Sequence, residues 1–540
     1  MFALEDKLWS LEFAGAARIP GWDGALSREV LEHFAAFAKA RIAPLDGPGD
    51  LQGCSIVAGR VQLPDGFADA YRALAADGWQ GLSAPEEFGG QALGAAVQAL
   101  TSEVFSGACH ALQMIAGLVP GAIRLLCHVA TPEQQARFIP QLASGAWLAT
   151  MCLTEPDAGS DLSRIRTSAI DGGAGQGWRI QGEKTFISGG DQDASENILH
   201  LVLARTGPEG TRGLSLFACP AILQDGRRNA ISVARIERKM GLHGSPTCHM
   251  VFDAAQGELI GAQGQGLSAM FLLMNHARLD VALQGVAHAA KAHAIARDYA
   301  QLRRQGRLPD GRPAVLAAHP DVQRMLDDMD TQTLAARALA HMALVALETG
   351  DHAFADFLTP MAKVAGSNAG MRVTETAMQV LGGYGYLHEY RLEQAYRDAR
   401  ICAIYEGANG IHALTLATRG LSHAAAAQAE AFARYITEIA QRHEAPSLRT
   451  SLAQWKALCD HVRKAPAEMA HHFMQASIAL ADMAFWQRVV TECPEITRLQ
   501  RLASHACQRA AHRVDAALQA ARLEAAPALA PLAQITGARW

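Results

Sequence analysis

The chain has 540 residues, half of them hydrophobic, 19% charged and 6% aromatic, which is apolar material for roughly two to four packed domains. Forty-eight Lys and Arg against 53 Asp and Glu give a formal charge of −5, excluding a dedicated polyanion binder. The 48 glycines and 21 prolines exclude collagen-like and wholly disordered chains, and ten dilute cysteines with no C-x-x-C spacing predict neither a disulfide scaffold nor a metal site.

Acidic Glu5, Asp6 and Glu12 stand where a signal or transit peptide lacks acids. No run reaches 18 uninterrupted apolar residues, so the sequence predicts a cytoplasmic protein without a membrane span. Over residues 1–147 apolar side chains recur at three and four, as in Val30, Leu31, Phe34, Phe37 and Ala38, predicting amphipathic helices with Ser27 as an N-cap. Residues 85–90, Pro-Glu-Glu-Phe-Gly-Gly, read as a loop between two of them. Over 148–262 the period shortens to that of strands, as at Trp178–Ile187 and Leu214–Cys219, predicting a small β-sandwich or barrel. The glycine run at 172–177 imitates a dinucleotide loop, but no helix follows it, so it reads as a hairpin tip. Helical periodicity returns over 263–421 in long patterns at Leu267–Gln305, Val322–Thr349 and Phe354–Leu381, and Arg307 to His319 reads as a long loop. Residues 422–540 form an alanine-rich helical extension beginning near His423, with 13 Lys and Arg against 10 Asp and Glu. The result is an α+β multidomain chain: a helical domain, a middle β domain, a second helical domain and a helical C-terminal extension.

Four segments carry chemistry. CLTEPDAGSD (152–161) is a strand running into a Gly/Ser loop, suited either to hold a phosphate on free N–H groups or to make a polar turn. GEKTFISGG (182–190) ends a strand with Phe186 and Ser188 on one face, fit to pack against and hydrogen-bond a flat heterocycle or to close a half-buried edge. QVLGGYGY (379–386) is a helix broken at Gly382 and Gly383, where backbone can approach a ligand. In YEGANGI (405–411), Glu406 follows Ile404 and Tyr405; a carboxyl in such company has a partner or a raised pKa, and the latter suits a general base.

Together with KMGLHGSPT (239–247) and the longer stretch YRDARICAIYEGANGI (396–411), these segments resemble the acyl-CoA dehydrogenase family over residues of about 25–420. The resemblance implies a helical N-terminal domain, a middle β domain and a C-terminal four-helix domain. It also implies an FAD cofactor, conversion of an acyl-CoA thioester to the 2-enoyl-CoA, reoxidation by an electron-transferring flavoprotein, and a homodimer or homotetramer. By the same resemblance Thr154 bonds the flavin pyrimidine edge and Ser160 lies near a phosphate or the CoA chain. Phe186 takes the place of the usual Trp beside the isoalloxazine, and Ser188 that of the usual Thr near flavin N5. Gln379, Gly382 and Gly383 contact FAD from a neighbouring subunit. Glu406 is the base, with Arg278 near the same catalytic centre; some relatives place the base just before that arginine, where this chain has Ala277. Arg303 lies 25 residues after Arg278, about 37 Å along one unbroken helix, and either reaches a partner subunit's FAD pyrophosphate or is a basic helix end.

The chain departs from the family pattern where Arg303-Arg-Gln-Gly lacks the usual Phe and where Ala408 replaces a usual Thr. With the long 307–319 segment and the helical extension, these features resemble the subgroup that includes 3-methylmercaptopropionyl-CoA dehydrogenase. The alternatives are an acyl-CoA oxidase on the same framework and a nucleic-acid-associated relative. The second needs a basic tail, and an excess of +3 mixed with acids does not supply one; no nucleic acid is expected as a partner.

Overall fold

The computed structural model describes residues 3–173, 177–422 and 426–524. The N-terminal part is helical, and its second helix, Gly24–Phe37, starts one turn earlier than its apolar period suggests. Asp23 caps it, accepting the N–H groups of Ala25 at 2.9 Å and Leu26 at 3.0 Å. Ser27 is not the cap; it is buried inside the first turn, its hydroxyl donating to the Asp23 carbonyl at 2.6 Å. Both residue types cap well, and the one at the first free N–H groups takes the position. The helix Gly94–Ala116 is kinked at Cys109, where φ is −158° and ψ 97°.

The middle part is a seven-stranded sheet running in the order Trp147–Cys152, Asn197–Arg205, Ser168–Asp171, Trp178–Ser188, Thr247–Ile260, Leu214–Pro220. Because Leu214–Pro220 also pairs with Asn197–Arg205, five of these strands close into a ring, with Trp147–Cys152 and Ile231–Ile236 added outside it. The barrel expectation therefore holds. Asp171 pairs antiparallel with Trp178, so the glycine run joins two strands of a hairpin; residues 174–176 of that run lie outside the described residues.

Three long helices follow: Gly266–Leu302, Pro320–Glu348 and His352–Leu381, with Asn409–Thr418 as a shorter fourth. The first and third touch backbone to backbone. A Cβ on Gly285 would lie 2.3 Å from the Gly366 carbonyl oxygen, and one on Gly366 2.3 Å from that of Ala282, so only glycine fits at this crossing. Residues 307–319 are not a plain loop: Arg304–Arg307 pairs with Pro313–Val315 across a turn at Leu308–Gly311.

The extension forms Ala426–Arg442, Pro446–Val462, Pro466–Glu492 and Thr497–Glu524, while His423 lies outside the described residues. It packs on its own chain. Phe357 of the third long helix stacks on Phe432 at 5.0 Å and meets Trp455 and Phe473 edge-on. Its arginines pair with acids of the same chain: Arg498 with Asp6 and Asp330, Arg501 with Asp327, Arg509 with Asp328 and Arg513 with Asp482. Among the described residues no single helix is long and apolar enough to cross a membrane.

Candidate active site

The three bodies enclose a cavity of about 1200 Å³, more than the roughly 300–1,000 Å³ of an ordinary small-molecule pocket. Thr154, Ser160, Phe186 and Ser188 line it from the β side, and Arg278 and Glu406 from the helical side. Six of the ten sequence-predicted site residues therefore meet in one place.

On the β side, the segment after the first strand is pinned at Thr154 and Glu155. The Thr154 carbonyl accepts the Thr185 N–H at 2.9 Å. Glu155 accepts from the buried Lys184 ammonium at 2.8 Å and from the N–H groups of Arg166 and Thr167. The strand Trp178–Ser188 shifts register between Lys184 and Ile187, and Phe186 within that bulge has φ +60°. The bulge turns the ring outward: Phe186 is 64% exposed and Ile187 buried, with Ser188 on the cavity again. An aromatic face and the hydroxyls of Thr154, Ser160 and Ser188 thus stand on one wall without side-chain partners among the described residues. A planar, hydrogen-bonding group such as a flavin fits this wall.

On the helical side, Glu406 sits at φ +52° in the turn between Arg400–Ala403 and Asn409–Thr418. A non-glycine residue held there costs on the order of 1–3 kcal/mol, so the surroundings must over-determine it. They do so through the backbone. Lys363 donates to the Gly407 carbonyl at 2.6 Å and to Asn409 Oδ1 at 3.0 Å, and His412 Nε2 lies 3.0 Å from the Glu406 carbonyl oxygen. No donor among the described residues reaches the Glu406 carboxylate, and none of their acceptors takes its backbone N–H.

Burial pushes the Glu406 carboxyl above the ordinary range, and the charge of Asp280 adds to this; the charges of Arg278 and Lys363 oppose it. Arg278 is itself driven down by burial and up by Glu406. Its Nη1 donates to Asn275 Oδ1 at 3.2 Å, and its guanidinium lies 5.9 Å from the Phe271 ring centre. Burial likewise pushes the Lys363 ammonium down to about 8. Removing the Arg278 charge therefore moves Glu406 further up. In Arg278→Gln the acid limb of kcat/KM is expected to lie at higher pH than in the wild type, a shift read directly from the two pH profiles.

Four predicted residues lie elsewhere. Gln379, Gly382 and Gly383 are exposed at the end of His352–Leu381, where Gly382 takes φ +61°. Arg303 is not in the long helix, which ends at Leu302; it is extended, with φ −69° and ψ 118°. Its guanidinium lies 5.6 Å from the Tyr384 ring centre, so Arg303 and the glycine segment form one outer-surface cluster apart from the cavity.

Sequence reasoning missed Lys363, Asp280, Gln284 and Tyr405. Two carried a signal: a lysine inside the apolar run Pro360–Gly366, and an aspartate two residues past Arg278 on a mostly apolar helix.

Three models of one family match in order: acyl-CoA dehydrogenase N-terminal domain over residues 27–146, middle domain over 150–255 and C-terminal domain over 264–421. The chain belongs to the acyl-CoA dehydrogenase family. It is an acyl-CoA dehydrogenase oxidoreductase by that membership, and the family is one of flavoproteins. The 3-methylmercaptopropionyl-CoA dehydrogenase of Ruegeria pomeroyi is 36% identical over 535 residues, covering 86% of this chain and 91% of that one. An acyl-CoA dehydrogenase from Bacillus anthracis, solved with FAD, shares the fold at a TM-score of 0.78 and 21% identity, covering 96% of this chain and 92% of that one. That coverage takes in the helical extension of the present dehydrogenase. A chain in the structure described as the electron transferring flavoprotein of Acidaminococcus fermentans matches at TM-score 0.64 and 27% identity, covering 74% of this chain and 98% of that one.

Proposed function

We propose that the protein carries out FAD-dependent α,β-dehydrogenation of an acyl-CoA thioester, with Glu406 as the base for the α-proton. One observation supports this most: Glu406, whose backbone N–H has no acceptor among the described residues, borders the same cavity as Phe186, Ser188 and Thr154. An α-proton beside a thioester is too weakly acidic for a carboxylate unless charge on the thioester oxygen is stabilised as it develops. A backbone donor fixed beside the base does that, and the Glu406 N–H is free to serve. Burial raises the carboxyl toward the working pH, where a base is most effective, and the Arg278 charge opposes that rise by favouring the ionised form. Thr154, Ser160, Phe186 and Ser188 would hold FAD against the β wall. Bound FAD would supply the hydride acceptor for the β-carbon.

Gln379, Gly382, Gly383 and Arg303 are assigned to a neighbouring subunit's FAD, which makes the working unit a homodimer or larger. An electron-transferring flavoprotein is the proposed reoxidant, and the cytoplasm the proposed compartment. The test is anaerobic addition of alkanoyl- and substituted acyl-CoA thioesters to FAD-loaded protein. Bleaching of the flavin's visible absorption, reversed by an electron-transferring flavoprotein, is the expected result. Absence of bound flavin, or flavin indifferent to every thioester, overturns the proposal, and stoichiometric peroxide under air would make it an oxidase instead.

A further inference from the structure

In a largely apolar cavity, one stretch of wall gathers Asp280, Ser102, Gln113 and Gln284. Asp280 stands on the long helix Gly266–Leu302, two residues past Arg278, and lines the cavity. Its Oδ1 accepts from the Ser102 hydroxyl, and its Oδ2 from Gln113 Nε2 at 3.0 Å and Gln284 Nε2 at 2.8 Å. A carboxylate offers about four acceptor positions, so three are filled and one, on Oδ1, has no donor among the described residues. No lysine, arginine or histidine among the described residues forms an ion pair with it.

The network runs to the catalytic turn. Gln284 accepts at its Oε1 from the hydroxyl of Tyr405, the residue before Glu406, and its Nε2 also donates to Gln113 Oε1 at 3.1 Å. The Asp280 charge reaches Glu406 and helps to raise it. On the other side, Ser102 and Gln113 flank the break in Gly94–Ala116 at Cys109, so donors from both halves of that helix converge on one carboxylate. Burial pushes the Asp280 carboxyl up while the hydrogen bonds from Ser102, Gln113 and Gln284 pull it down, so a further donor offered from the cavity would add to that support at the remaining acceptor position.

We infer that Asp280 is a specificity-determining residue that selects acyl-CoA thioesters whose chain carries a hydroxyl, over unsubstituted alkanoyl and over ω-carboxyacyl thioesters. A hydroxyl fills the open position on Oδ1. A methyl end desolvates it without replacement, and a second carboxylate meets its charge. The inference rests on the dehydrogenase reading above.

The experiment measures kcat/KM with a dye acceptor for matched series: 5-hydroxypentanoyl-, pentanoyl- and glutaryl-CoA, and 6-hydroxyhexanoyl-, hexanoyl- and adipoyl-CoA. At one chain length or both, the wild type should favour the hydroxyacyl thioester by at least about tenfold, since a site that hydrogen-bonds a substrate hydroxyl discriminates strongly against its absence. In Asp280→Leu the ratio should fall to about one or below, mainly through a gain on the alkanoyl thioester; Asp280→Asn, which keeps the shape, should also lower it. Flavin content checks that each variant is folded. Alkanoyl thioesters oxidised as well as hydroxyacyl ones by the wild type at both lengths, or a ratio unmoved in both variants, would overturn the inference and leave the dehydrogenase reading standing. Failure of every thioester to reduce the wild-type flavin would remove both.

Discussion

Flavin reduction by acyl-CoA is expected to slow by about 10²–10⁴-fold in Glu406→Gln, with the bound flavin's spectrum unchanged. The substitution removes the proposed base and little else. The turn carrying Glu406 is held through backbone, by Lys363 on the Gly407 carbonyl and by His412 at the Glu406 carbonyl, and neither contact involves the carboxylate. No hydrogen bond among the described residues is lost with the charge. The Glu406 N–H, the donor proposed for the thioester oxygen, is also retained, so substrate binding should persist while proton removal fails. Anaerobic stopped-flow mixing of FAD-loaded variant and substrate reads this directly. Wild-type rates in the variant would take Glu406 out of its role, and a loss of flavin would show that the turn itself had moved.

The same turn shows what the sequence makes legible. Glu406, Phe186 and Ser188 lie in contiguous segments whose residue types suggest a base, an aromatic and a hydroxyl, Thr154 is singled out by the family resemblance, and all four line one cavity. The groups that set their chemistry are remote along the chain: Lys363 is 44 residues from Gly407, and Ser102 is 178 from Asp280. Periodicity reports which face of a helix is apolar, not which polar residue of another helix it meets. Arg303 illustrates the boundary problem, because the pattern runs to Gln305 whereas the helix stops at Leu302. The segment at 307–319 was more readable than its length suggests. Leu308-Pro309-Asp310-Gly311 is a turn sequence with a mechanism, and the Gly311 N–H donates to the Leu308 carbonyl at 2.9 Å. The extension was legible as alanine-rich and helical, but only packing shows that its aromatics close on Phe357 and its arginines on acids of the same chain.

The largest stability effect is expected at Glu103. Its buried carboxylate accepts from Arg337 Nη2 at 2.9 Å and Nε at 3.1 Å, and pairs with the Lys7 ammonium, so one acid joins Leu4–Phe13, Gly94–Ala116 and Pro320–Glu348. Burial favours the neutral acid, but Arg337 and Lys7 outweigh it and hold Glu103 at about 2. Glu103→Gln leaves two fully buried cations facing an amide, a loss of about 3–5 kcal/mol by the general cost of breaking a buried pair. Lys7→Met should cost less, because burial already pushes that ammonium down to about 8 and Arg337 remains on the carboxylate. The pH dependence has a definite sign. A carboxyl depressed in the folded state stabilises above its unfolded pKa and loses that contribution as pH falls toward the folded value. The gap in unfolding temperature between wild type and Glu103→Gln should therefore be full above about 4.5 and close as pH falls toward about 2. A constant gap across that range would show that packing, not charge, sets the cost. Asp6, beside Lys7, bonds Arg498 of the last described helix, so loosening the first helix should expose Thr497–Glu524 to protease before the rest of the chain.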